Sequence, residues 1–235
     1  MLPLAPTGSV FLLWKTIYDA CYLVNRMGDA GNTGAALGFS WEFEIPSWED
    51  MYESLLELAR RIRKAGFKPD IVVGVARGGW PVARVMSDLL ENPEVANVKA
   101  EFYLGVAETR KEPVITQPVS TSVKQKKVLV VDDVADTGKS LALVREHLGE
   151  QGAADIRIAT IYYKPWSTLK PDWFERQTEL WIVFPWERKE TIKRILEKCK
   201  KEGVPVEQAK EALVRHGLDR RLAERFIQEI TEEEP

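Results

Sequence analysis

The stretch Val128–Leu141, V-L-V-V-D-D-V-A-D-T-G-K-S-L, restricts the fold more than any other part of the chain. Four consecutive apolar residues, Val128 to Val131, suit a strand buried on both faces. Two carboxylates, Asp132 and Asp133, follow at its end. A small polar turn comes next, running from Ala135 through Asp136, Thr137, Gly138, Lys139 and Ser140, and helical periodicity starts at Leu141. Strand, polar turn and helix in this order make a ligand site at the carboxyl end of a parallel strand. Such a turn aims consecutive backbone N–H groups and a helix N-terminus at one phosphate. Gly138 permits close approach of the backbone, and Thr137 and Ser140 add hydroxyl donors. Carboxylates beside a phosphate cradle would repel the anion unless they hold hydroxyls or a hydrated Mg²⁺. A sugar phosphate with free ribose hydroxyls satisfies both halves. The alternative is an acidic strand-to-helix turn with no ligand. The stretch is not a Walker loop, because Val134 stands where the upstream glycine is required.

A second strand-turn-helix unit precedes it. Ile71 to Val75 reads as a buried strand, followed by Ala76-Arg77-Gly78-Gly79-Trp80-Pro81 and a helix from Val82 to Leu90. Arginine makes forked contacts with phosphate oxygens, and Pro81 fits the first turn of a helix. Upstream, Ser47 and Asp50 form a capping box. The helix that follows places Met51, Leu55, Leu58, Ala59 and Ile62 on one face and ends at Gly66 and Pro69. Further strands are expected at Glu101–Gly105, Ile156–Tyr162 and Leu180–Phe184. Residues 106–126 show little apolar periodicity and read as a long loop. Alternating strands and helices with right-handed crossovers imply an α/β fold, a mostly parallel twisted sheet flanked by helices.

The flanks differ from this core. Residues 1–40 read as an N-terminal arm. Val10 to Val24 is apolar but is broken by Lys15 and Asp19 and is too short to span a bilayer. It also lacks the features of a signal peptide. Residues 25–38 are Gly-rich. The arm could be loosely packed, could dock on a partner, or could lie upstream of a start at Met27 or Met51. Residues 188–235 carry three apolar stripes separated by Gly203-Val204-Pro205 and Gly217, which predicts a three-helix appendage. The span from Glu187 to Glu234 holds twelve acidic and twelve basic residues. That balance, with a net charge of -3 over 235 residues, argues against a nucleic-acid-binding role. Packing on the core, a dimer contact or a protein-binding module remain as roles. The chain then divides into 1–40, 41–187 and 188–235. The two cysteines, Cys21 and Cys199, provide neither a disulfide framework nor zinc spacing, so a reducing cytoplasm is expected. His147 and His216 sit in helical patterns far from the central motif, which disfavours a histidine-based metal site or triad.

The central motif resembles the PRPP-binding motif of type I phosphoribosyltransferases, an apolar strand, two acidic residues and then D/A-T-G-x-S/T; PRPP is 5-phosphoribosyl-1-pyrophosphate. Val75-Ala76-Arg77-Gly78-Gly79 is similar to the family's pyrophosphate loop. Lys164-Pro165 and W-I-V-F-P-W from Trp181 to Trp186 resemble segments of bacterial xanthine-guanine phosphoribosyltransferases. The resemblance covers roughly Ser47 to Glu187. It implies transfer of a phosphoribosyl group from PRPP to a purine base, with Mg²⁺. Asp136 to Ser140 would hold the 5′-phosphate, and Asp132 and Asp133 the ribose hydroxyls, directly or through the metal. Arg77, Gly78 and Gly79 would hold the pyrophosphate, with Arg110 and Lys111 on a loop that closes over the site. Asp136 would lie near the purine N7 as proton acceptor. Trp181 would stack on the base, and backbone groups at Ile182 and Val183 would read its edge. Lys164 would donate to the O6 carbonyl of guanine, hypoxanthine or xanthine, where adenine offers a donor. Val183 and Phe184 replace polar residues of the bacterial pattern, which leaves the choice among these bases open. No membrane is implied, and a homodimer or higher homo-oligomer is expected. A PRPP sensor without turnover and a phosphoribosyltransferase for another base are the competing readings.

Overall fold

The computed structural model describes residues 42–103 and 112–233. The arm at 1–40, the end of the strand expected at Glu101–Gly105, and Arg110 and Lys111 lie outside the described residues.

The central sheet has six strands in the order β4-β3-β2-β5-β6-β7. These are β2 (Ile71–Ala76), β3 (Val95–Tyr103), β4 (Glu112–Gln117), β5 (Lys127–Ala135), β6 (Asp155–Tyr163) and β7 (Trp173–Gln177). Only β4 runs antiparallel, pairing with β3. The others are mutually parallel. Alternation along β2 and β5 splits the interior into two cores. Val72, Leu129 and Val131 face helices α1 (Trp48–Lys64) and α2 (Gly79–Leu89). Ile71, Val73, Val75, Val128 and Val130 face helix α3 (Lys139–Glu150). A strand buried on both faces needs this unbroken apolar run, because it sits between helical layers.

Helix α1 starts at the expected capping box. Ser47 Oγ accepts from the Asp50 N–H at 3.0 Å, and the Ser47 N–H donates to Asp50 Oδ2 at 2.8 Å. Met51, Leu55, Leu58, Ala59 and Ile62 form its buried face. Burial of the four larger ones, Met51, Leu55, Leu58 and Ile62, stabilises by roughly 1.5–3 kcal/mol each.

Three expectations need correction. The strand around Glu101 begins earlier, at Val95, because it pairs with β2 along Val72–Ala76. Part of the stretch read as a loop, Glu112–Gln117, is strand β4, an exposed edge whose residues are mostly solvated and so carry no apolar period. Leu180–Phe184 is not the last strand of the central sheet. Only Trp181–Ile182 is extended, as β8, and it pairs in parallel with β1 (Phe43–Glu44) in a separate two-stranded sheet. The sheet's edge is instead β7, W-F-E-R-Q, whose residues are half-buried apart from its exposed last one.

The C-terminal residues form helices α4 (Arg188–Glu202), α5 (Val206–Arg215) and α6 (Arg220–Glu233). Ile192, Ile195, Cys199, Ala209, Leu213, Leu218 and Ile230 close a third core around Phe43 and Val183, so these helices pack directly on the β1–β8 sheet.

Candidate active site

Strands β2, β5 and β6 run parallel and side by side, so their carboxyl ends meet at one edge. The helix after β2 lies on one face of the sheet and the helix after β5 on the other. The chain therefore splits apart between β2 and β5, and a crevice at such a switch point is where open α/β sheets bind ligands. The Arg77-Gly78-Gly79 turn and the Asp132–Ser140 segment stand side by side at this end of the sheet.

The two motifs interlock at atomic contact. A Cβ on Gly78 would lie 2.0 Å from Asp133 Oδ2, and one on Gly79 would lie 2.5 Å from the Val131 carbonyl oxygen and 3.0 Å from Asp132 Oδ1. Only glycine lets the Arg77 turn pack against the acidic pair. The carboxylates do not follow the strand, as the apolar run suggested, but belong to it. β5 continues through Asp132 and Asp133 to Ala135 because β6 pairs with it as far as Tyr163. The Asp133 N–H donates to Asp132 Oδ1 at 3.0 Å, and the Val134 N–H donates to Asp133 Oδ1 at 2.8 Å.

This environment makes the acidic end reluctant to hold charge. Burial, with the Asp133 charge beside it, pushes Asp132 well above the usual carboxylate range. Burial also pushes Asp133 up, against the pull of its hydrogen bonds from Trp186 and Val134. Glu187 is pushed up to about 7, by burial first and then by Asp133. Among the described residues no cluster of three or more His, Cys, Asp or Glu side chains is arranged to hold a metal ion. Two desolvated carboxylates still suit Mg²⁺, which takes one or two carboxylates and completes its shell with water and substrate oxygens.

The turn between β5 and α3 is tight. Gly138 has φ 79° and caps α3. A Cβ there would lie 2.6 Å from the Leu169 nitrogen. The turn is held by the loop after β6: the Thr168 N–H and Oγ1 both donate to the Thr137 carbonyl, at 3.0 and 2.9 Å. The Lys164 N–H donates to the Ala135 carbonyl at 3.0 Å. Asp136 and Thr137 are exposed, Ser140 is half-buried, and Lys139 is paired with Glu112 on β4 at 2.7 Å. Arg77 reaches away from the sheet to Glu190 on α4.

Lys164 is 6% exposed, and its ammonium donates to the Leu180 carbonyl. Burial lowers its pKa, opposed by the charges of Asp136, Glu44 and Glu179. Trp181 is half-buried against Phe43, with ring centroids 6.1 Å apart. Ile182 and Val183 are buried, and the Val183 N–H already donates to the Glu44 carbonyl at 2.9 Å. Val183 therefore cannot offer that donor to a ligand while β1 and β8 stay paired. Phe184 stacks on Trp186 at 5.0 Å within the core.

Four residues at this site were not singled out from the sequence. The Trp186 indole N–H donates to Asp133 Oδ2 at 3.4 Å. Glu187 adds its charge to the acidic pair. Trp166 donates from Nε1 to Asp136 Oδ1 at 3.0 Å, and the Lys164 ammonium lies 5.4 Å from the Trp166 ring centroid. Glu190 holds Arg77. Trp166 directly follows Lys164-Pro165 and Glu187 directly follows W-I-V-F-P-W, so adjacency to those motifs was the available signal.

The family model for the phosphoribosyl transferase domain matches residues 44–190, from β1 into the start of α4. The chain belongs to this transferase family. It is 32% identical over 143 residues to a xanthine-guanine phosphoribosyltransferase of Idiomarina loihiensis, an alignment covering 60% of this chain and 84% of that protein. A hypoxanthine-guanine phosphoribosyltransferase of Streptococcus mutans is 30% identical over 122 residues, covering 51% of this chain and 67% of that protein. Among solved structures, the purine phosphoribosyltransferase of Pyrococcus horikoshii superposes with a TM-score of 0.56 at 39% identity, covering 61% of this chain and 93% of that one. The family match ends near the start of α4, so most of the three C-terminal helices lies beyond it. No described helix is long and apolar enough to cross a membrane.

Proposed function

We propose that the protein transfers the 5-phosphoribosyl group of PRPP to N9 of a 6-oxopurine, giving a nucleoside 5′-monophosphate and pyrophosphate. The observation that carries this reading is the interlocked pair of turns, Gly78 against Asp133, which brings an arginine loop beside an acidic pair and a glycine-bearing turn at the carboxyl ends of adjacent parallel strands. A molecule with a 5′-phosphate, two ribose hydroxyls and a pyrophosphate presents what each of these would bind. The turn from Ala135 to Ser140 holds the 5′-phosphate with backbone N–H groups and the α3 N-terminus. Asp132 and Asp133 would hold the ribose hydroxyls and Mg²⁺; a bound cation favours their charged forms, and the field of the ionised pair then favours positive charge at the ribose carbon as its bond to pyrophosphate breaks. Mg²⁺, when bound, neutralises charge on the departing pyrophosphate. Arg77 and the Gly78-Gly79 backbone hold that pyrophosphate.

Asp136 accepts the purine proton, oriented by the Trp166 N–H. Lys164 is poised for O6 recognition, because its buried ammonium spends a bond on the Leu180 carbonyl and has further donors to give. Trp181 supplies a ring for stacking. The relatives' names, xanthine-guanine and hypoxanthine-guanine phosphoribosyltransferase, support a purine acceptor. The reaction needs no covalent nucleophile and proceeds by positioning and electrostatics. The reading places the protein in a reducing compartment, with Cys199 free and buried, and as a homo-oligomer.

Two variants test the assignment. Asp133→Asn is expected to lower turnover on the order of 10²-fold, the loss of one electrostatic contact to the transition state. Lys164→Ala is expected to erode the preference for guanine over adenine. Near-normal turnover of the first, or unchanged base preference in the second, removes that residue from the assigned role.

A further inference from the structure

We infer that Arg194, on α4 beyond the family match, is a second guanidinium of the pyrophosphate site, and that the Glu190 carboxylate is an internal anion occupying this site until pyrophosphate displaces it. The inference rests on reading the Arg77 turn as the pyrophosphate loop.

Glu190 is gripped from two elements. Arg77 Nη2 donates to both of its oxygens, at 2.7 and 2.6 Å, and Arg194 Nη2 donates to Oε1 at 2.6 Å. One carboxylate between two guanidiniums is the arrangement used to recognise planar and tetrahedral oxyanions. The two arginines come from positions more than a hundred residues apart, the β2–α2 turn and the second turn of α4. They are brought together only because α4 begins beside the carboxyl ends of the strands. Burial raises the Glu190 pKa while Arg77 and Arg194 lower it, and the arginines prevail. Its carboxylate is thus a stable negative charge. Glu187, one turn earlier, is pushed up by burial first and then by Asp133, while Arg194 and Arg77 pull it down, so both arginines act on the carboxylate that stands beside the acidic pair.

The contact is open to exchange. The side chains of Arg77 and Arg194 are 70% and 54% exposed. Exposed ion pairs of this kind add little to stability. Pyrophosphate carries several charges, so it outcompetes a single carboxylate for the same two guanidiniums. Once Glu190 is displaced, Arg194 stands opposite Arg77 across the anion. A purely mechanical alternative is that the triad only pins α4 to the core. It makes a different prediction, because Glu190 would then matter for stability and Arg194 would not matter for anions.

The test is calorimetric titration of inorganic pyrophosphate with Mg²⁺ into the full chain and the variants Arg194→Gln, Arg194→Lys and Glu190→Gln, with thermal melts of each. Arg194→Gln is expected to weaken pyrophosphate binding about tenfold, the loss of one charge-assisted contact, and to flatten the dependence of affinity on salt. Arg194→Lys keeps the charge without the fork and should fall between. Glu190→Gln should bind as tightly as the wild type or a few-fold tighter. Unchanged binding by Arg194→Gln overturns the inference, as does Glu190→Gln weakening as much as Arg194→Gln. Wild-type protein that turns over PRPP while Arg194→Gln binds normally leaves the proposed function standing and this inference refuted. Wild-type protein that binds no pyrophosphate refutes this inference, and the proposed function is then decided separately by turnover of PRPP.

Discussion

Replacing Glu187 with glutamine isolates the electrostatic cost built into the acidic end. Glu187 titrates at about 7 in the folded chain, against 4.5 for an unperturbed glutamate. Between those values the native state binds more protons than the unfolded state, so stability falls as pH rises. The contribution is fully present below about 4.5 and is lost once pH passes 7. The shift corresponds to an upper bound of about 3.4 kcal/mol at 1.36 kcal/mol per unit. Glu187 is half-buried, and solvent screening reduces this to roughly 1–2 kcal/mol. Urea denaturation of wild-type and Glu187→Gln protein from pH 5 to pH 8 measures it. Relative to the variant, the wild type is expected to lose most of that amount across the range, most steeply between about pH 5 and 6.5, and to level off above pH 7. The loss should shrink when Mg²⁺ is present, because a bound cation favours the charged carboxylates. A difference between the two proteins that does not change with pH refutes the burial of Glu187 beside Asp133 as a source of its raised pKa.

Other perturbations follow from the same geometry. Gly78→Ala forces a Cβ onto the Asp133 carboxylate and is expected to cost about 1–3 kcal/mol of stability together with turnover. Gly149→Ala, in α3 with no atom within 4 Å of the added methyl, should instead stabilise by about 0.5–1 kcal/mol; paired urea melts separate the two, and equal effects would contradict the contact. Trp186→Phe keeps the stack on Phe184 but removes the donor to Asp133. It should lower kcat/KM several-fold with about 1 kcal/mol or less of stability lost, and unchanged kinetics would show the bond to be idle. Trp166→Phe should lower kcat more than the KM for PRPP, since it unpins Asp136 without touching the phosphate turn; a change confined to KM would contradict this.

The strand-turn-helix units around Ile71 and Val128 were legible because each is local. An apolar run, a glycine turn and a periodic helix lie within some twenty residues, and the family match falls on them. The N-cap of α1 was legible for the same reason. What was not legible depends on pairings across the chain. β1 and β8 are two residues each and exist only because Phe43 meets Trp181. β4 and β7 are edges whose side chains face solvent or lie half-buried, so neither carries a clear apolar period. Asp132 and Asp133 were expected beyond the strand, because polarity marked a boundary that the β5–β6 pairing overrides. Trp186 and Glu190 lie 53 and 113 residues from the groups they touch. No spacing rule connects Arg77 to a carboxylate on a helix beyond its own domain motif. The apolar stripes of the three C-terminal helices were visible. That they close on Phe43 and Val183, and that Glu190 on the first of them meets Arg77, follows only from tertiary packing.

The most direct measurement is pyrophosphate release from PRPP and Mg²⁺ with guanine, xanthine, hypoxanthine, adenine and orotate offered separately. The account predicts turnover with one or more 6-oxopurines and none with adenine or orotate. Turnover with adenine would keep the PRPP site but contradict the role of Lys164. Measurable PRPP binding with no turnover of any base would contradict the transferase reaction and identify a sensor.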